Sequence, residues 1–122
     1  MKIFGSFWHR QDRNENQNAL LNSALDIALD FDNWLNPIQG RLKTRHPSLD
    51  EQNLQRLNEV CIEAVRFGQQ TALQLCGTMD LPSVQGRFDE LFVERYPWVN
   101  EENLERAYRH CIYLATKTAR AG

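Results

Sequence analysis

The chain has 122 residues, 42% of them hydrophobic and 25% charged, with a formal net charge of −2. That length supports one core and leaves no room for a second domain. The near-neutral balance excludes the broad basic footprint of a nucleic-acid-binding domain.

Three cysteines, Cys61, Cys76 and Cys111, form no CxxC pair. An odd number without pairing argues against a disulfide framework or a zinc site and for a reducing compartment. The first eight residues include Ile3, Phe4, Phe7 and Trp8, but His9, Arg10, Asp12 and Arg13 interrupt them. This is too short for the apolar stretch of a signal peptide. No apolar run approaches the roughly 20 residues that span a bilayer. The expected location is the cytoplasm, with no membrane and no nucleic acid among the partners.

Residues 1–18 read as an N-terminal arm: a small apolar patch, then a polar stretch from Gln11 to Asn18 with the look of a loop. From there to residue 122 the chain reads as a single all-α domain. Leu20, Ala24, Ile27, Ala28, Phe31, Trp34 and Leu35 recur at three- and four-residue spacing, which predicts a helix ending near Pro37. A short helix carrying Ile38 and Leu42 follows and closes at Pro47.

The next helix has a marked start. Asp50 suits the N-cap, and Leu49 and Leu54 stand at hydrophobic-staple spacing. Its stripe runs Leu54, Leu57, Cys61, Ala64, Val65, Gly68, Ala72 and Leu75, with Gly77 as the predicted stop. Pro82 opens a fourth helix through Val84, Phe88, Leu91 and Phe92 to Pro97. Asn100, stapled by Val99 and Leu104, opens the last, which runs through Tyr108, Cys111, Ile112 and Ala115 toward Lys117 and Arg120. The expected fold is a compact all-α bundle of about five helices.

The most specific signal is an internal repeat. Residues 45–62 read RHPSLDEQNLQRLNEVCI and residues 95–112 read RYPWVNEENLERAYRHCI, with eight identities in 18 positions at an offset of 50. Upstream, Ile38-Gln39-Gly40-Arg41 matches Val84-Gln85-Gly86-Arg87 at an offset of 46. The pattern predicts two copies of a helix–turn–helix unit, about 37–76 and 82–118, packed around a shared core. Cys61 and Cys111 then fall on equivalent apolar stripes. Gly40 and Gly86, costly inside helices, predict close helix approach. Arg41/Arg87 and Arg45/Arg95 are expected to pair with Glu51/Glu101 or to cap carbonyls at the corner.

Chemistry is sparse. His9, His46 and His110 are far apart, and no metal-binding, nucleophile-elbow or phosphate-loop spacing occurs. No catalytic residue, metal or cofactor is therefore expected. The acid pairs Asp26/Asp30 and Glu59/Glu63 lie one turn apart and read as solvated faces. Asp89-Glu90 and Glu101-Glu102 read as helix-start or surface acids. The second helices of the repeat begin with Asp50-Glu51 and Asn100-Glu101-Glu102, acids where phosphates would approach DNA-reading helices.

Aromatic residues are left over. Trp98, Tyr108 and Tyr113 replace Ser48, Asn58 and Glu63 of the first copy, and Tyr96 replaces His46. Trp, Tyr and Arg are the usual anchors of protein interfaces. The preferred reading is a non-enzymatic protein-binding module, in one form a small bacterial immunity or inhibitor protein that neutralises a toxin domain. Trp98, Tyr96, Tyr108 and Tyr113 would anchor it, with Glu101 and Glu102 at the rim. Two alternatives stand: a small-molecule or enzymatic pocket between the units holding Arg41, Arg87 and Tyr96, and a homodimer built through the repeated surface.

Overall fold

The structure, a computed structural model, describes residues 16–30 and 37–121, with side chains described through Lys117. Residues 1–15 of the expected arm, the predicted helix positions Phe31, Trp34 and Leu35, and the Arg120 side chain lie outside the described residues. Five α-helices and no strand occupy the described chain: α1 (16–28), α2 (Gln39–Arg45), α3 (Glu51–Thr78), α4 (Leu81–Arg95) and α5 (Glu101–Ala121). The all-helical expectation holds.

Helix α1 starts earlier and stops earlier than its apolar periodicity predicts. Residues 16–18 are already helical, and the Asn22 side-chain amide donates to the Asn18 carbonyl (2.9 Å), tying down that first polar turn. At the other end Asp30 N–H donates to the Ile27 carbonyl (3.2 Å), a tighter turn that closes the helix well before Pro37. Ala24, Leu25 and Ile27 form its buried face.

Helix α3 is the axis of the bundle. At 28 residues it runs about 42 Å, and it packs on α2, α4 and α5. Its apolar stripe is buried as the periodicity predicts, from Leu54 through Leu57, Cys61, Ala64, Gly68 and Ala72 to Leu75. Gly77 does not stop it. The helix continues to Thr78, and Met79 N–H closes the last turn on the Leu75 carbonyl. Only Met79 and Asp80 separate α3 from α4, where Pro82 sits in the first turn.

The centre of the core is aromatic. Phe88 stacks on Phe92 (centroids 5.6 Å), and Phe67, Tyr96 and Tyr108 meet them edge-on or tilted at 5.1 to 6.3 Å. Full burial of a ring such as Phe88 or Phe92 contributes about 1.5–3 kcal/mol. The close approach between helices is at Gly68, not at the glycines shared by the repeat. A β-carbon on Gly68 would stand 2.7 Å from Cys111 Sγ, whereas one on Gly40 or Gly86 would meet nothing within 4 Å. Those two glycines lie on exposed outer faces, where only backbone freedom is at stake.

Two corners, α2 to α3 and α4 to α5, carry the same hydrogen bonds. His46 N–H donates to Leu42 O and Tyr96 N–H to Phe92 O, both at 2.8 Å. Leu49 N–H reaches His46 O (3.1 Å) and Val99 N–H reaches Tyr96 O (3.0 Å). Asp50 Oδ1 and Asn100 Oδ1 each accept from a backbone N–H three residues on, Asn53 and Asn103, both at 2.8 Å. The C-cap dihedrals match as well, φ −133°, ψ 75° at His46 and φ −126°, ψ 71° at Tyr96.

Candidate interaction surface

The four expected anchors and two rim acids do not all share one surface, although Trp98 and Glu102 line one cleft. Tyr96 is only 6% exposed, with its ring against Phe67, Phe92 and Trp98. Its hydroxyl, 3.4 Å from Glu63 Oε1, belongs to the α3–α4 contact. Tyr108 packs edge-on against Phe88 at 5.4 Å, and burial pushes its phenol up, helped by nearby Cys76, Asp89 and Glu105. Trp98 is half-buried at the second corner. Only Tyr113, with the Lys117 amine 5.9 Å from its ring, and the first-turn acids Glu101 and Glu102 face outward. Periodicity assigns a ring to a helix face but does not say which neighbour covers that face.

Arg41, Arg87 and Tyr96, the expected pocket residues, are not brought together either. Arg41 lines a cleft of about 480 Å³ with Asp26, Asp30, Arg45 and Arg106. Arg87 pairs with Glu90 on the same helix at 3.1 Å. The arginine pairs expected with Glu51 and Glu101 are also replaced. Arg45 Nη1 donates to Asp26 Oδ2 (2.8 Å), Arg41 to Asp30 Oδ2 (3.4 Å), Arg95 Nη2 to Glu63 Oε1 (2.9 Å), and Arg106 to Asp26 Oδ1. Asp26 on α1 and Asp30 just beyond it therefore do not form a plain solvated face. They fasten α1 to α2 and α5.

Side chains elsewhere behave as a scaffold. Burial pushes the Cys61 and Cys111 thiols up to about 12, which makes both poor nucleophiles at neutral pH. His110, fully buried beside Cys111, has its pKa lowered by burial, and the Gln69 amide stands 3.5 Å from its Nε2. Among the described residues no three His, Cys, Asp or Glu side chains converge as a metal site, and no helix is long and apolar enough to cross a membrane.

The outer face of α3 is different. Ile62 is 43% exposed and Leu73 47% exposed. Eleven residues separate them, so they stand about 20° apart around the helix and about 16 Å apart along it. Beside Ile62 a groove of about 390 Å³ is lined by Glu59, Glu63, Arg66, Phe67, Gln70 and Arg95. The Arg95 guanidinium lies 5.3 Å over the Phe67 ring and 5.9 Å from that of Tyr96. Hydrogen bonds to Tyr96 first and Glu63 second raise its pKa. The groove thus sets Ile62 and Phe67 between both signs of charge, on the helix that packs against α2, α4 and α5. Sequence reasoning missed it, although one signal was present: Ile62 and Leu73 are the large aliphatic residues of α3 that stand opposite its buried stripe.

Compared with known proteins, the chain matches no family model, no curated protein and no solved structure.

Proposed function

We propose that the chain is a non-enzymatic protein-binding module whose contact surface is the outer face of α3 around Ile62, Arg66 and Leu73. The observation that supports this most directly is the pair of large aliphatic side chains left in water on the helix that organises the core. An interface core of that kind, apolar with an arginine and a charged rim, is what binding hot spots are made of. The two helix–corner–helix units are read as copies of one ancestral unit. In the second copy the added aromatics Tyr96, Trp98 and Tyr108 thicken the core, leaving α3 to present the contact surface. The immunity or inhibitor protein is the narrower form of this reading, and it entails a one-to-one complex with a toxin domain.

The test uses the full chain with a photo-crosslinking residue at Arg66, expressed in its source cells. One discrete crosslinked partner, lost in an Ile62→Glu/Leu73→Glu variant that keeps its helical spectrum and melting temperature, is the expected result. Crosslinks unchanged by that variant, or no partner at all, would overturn the assignment. A crosslink to a second copy of the chain would establish the homodimer instead.

A further inference from the structure

The second corner holds a ligand that belongs to the chain itself. Asn22 of α1 donates through Nδ2 to Trp98 O (2.8 Å), and its Oδ1 accepts from Asn100 N–H (2.9 Å) and Asn103 Nδ2 (3.1 Å). Asn103 Nδ2 also reaches the Asn22 carbonyl (2.8 Å). One turn further along α1, Asp26 is gripped by Arg106. Four groups of the corner therefore read an asparagine and, four residues on, an acid.

The first corner displays the same four groups at the same offsets: Ser48 O, Asp50 N–H, the Asn53 amide and the Arg56 guanidinium. The matched backbone hydrogen bonds and cap dihedrals place them on an equivalent frame. Among the described residues none of the four has a hydrogen-bond or ion-pair partner. Ser48, Asp50 and Arg56 are exposed, and Asn53 is half-buried. A bare helix start would be poor grounds for a site. Here an independent observation, the α1 helix seated on the equivalent groups, shows what such a corner binds.

We propose that the first corner is a second helix seat, and that its occupant is a helix of another polypeptide carrying Asn-x-x-x-Asp or Asn-x-x-x-Glu. Within this chain that spacing occurs once, at Asn22/Asp26, and it is already engaged at the second corner. A second copy would have to release its own α1 to supply it, so a different chain is the fitting partner. The inference rests on the reading of the protein as a binding module but uses a surface distinct from the Ile62/Leu73 face.

The probe is a lactam-stapled helical peptide of residues 16–30 of this chain, titrated into the full-length protein and followed by fluorescence anisotropy and amide chemical shifts. Saturable binding with shift changes over residues 48–56 is expected. Arg56→Glu or Asn53→Ala in the protein, or Asn22→Ala in the peptide, should weaken it by about tenfold or more. Absence of saturable binding, binding indifferent to these substitutions, or shift changes confined to residues 98–106 would overturn the proposal. The last pattern would mean that the peptide merely displaces α1. An Ile62→Glu/Leu73→Glu variant should bind the peptide normally, so failure here and failure of the α3 surface are read separately.

Discussion

Cys111 Sγ stands 2.7 Å from where a β-carbon on Gly68 would project, with Phe88 and Phe92 closing the remaining space at 3.5 Å. Alanine is ordinarily about 1 kcal/mol better than glycine inside a helix. At this position the gain is reversed, because the buried Cys111 side chain would have to shift to make room. Gly68→Ala should destabilise the fold by about 1–3 kcal/mol. Adding Cys111→Ala should recover most of the loss, since the new methyl fills the space the sulfur leaves. Chemical denaturation of the two single variants and the double variant checks this, and additive effects would refute it.

The repeat-equivalent asparagines should respond unequally. Asn103 is 3% exposed and bonds Asn22 twice, whereas the Asn53 side chain has no partner among the described residues. Asn103→Ala should cost about 1–3 kcal/mol, because it removes both hydrogen bonds that the buried Asn103 amide makes to Asn22. Asn53→Ala should cost less than about 0.5 kcal/mol. Equal losses in thermal melts would show that the two corners are loaded alike.

The buried thiols imply an alkaline weakness. Burial raises Cys61 and Cys111 from 9.0 to about 12, so the native state holds protons that the unfolded chain releases. Their contribution is complete below pH 9 and declines as pH rises toward 12, by about 1.4 kcal/mol per pH unit per thiol. Denaturation midpoints should fall steeply over that window, and Cys61→Ala/Cys111→Ala should flatten the fall. At pH 8 a thiol reagent should label the half-buried Cys76 first, with the other two reacting only on unfolding.

Asp89 is a small liability. One carboxylate oxygen is buried without a hydrogen bond, and burial, then the Glu105 charge, raises its pKa. A raised carboxyl favours the protonated native state, so its penalty is present at neutral pH and disappears as pH falls through the raised value. Asp89→Asn should stabilise the protein at pH 7 by about 1 kcal/mol. The advantage should shrink in melts at pH 3.

What could be read from the residues, and what could not, follows from the range of the forces involved. The N-caps Asp50 and Asn100, with staples Leu49/Leu54 and Val99/Leu104, are local interactions spanning a single turn, and both corners form where they predict. The buried stripe of α3 is likewise a matter of period. The partners of Arg45 and Arg95 lie 19 and 32 residues away, and no spacing rule finds Asp26 or Glu63. Tyr96, the C-cap of α4, and Tyr108 of α5 looked available because spacing along the chain does not show which neighbouring helix covers a ring, a property of tertiary packing. Glycine was informative only where a neighbour crosses, at Gly68, and uninformative at Gly40 and Gly86, although those are the glycines the repeat shares.

The length of α3 has a mechanical consequence. Its first half completes the corner with α2, and its second half carries α4 and the Gly68 crossing with α5. One unbroken helix therefore carries both sets of contacts, and no loop within it separates the α2 corner from the packing of α4 and α5. The shared axle should make the whole domain yield in one event, with no half-folded species for a protease to catch.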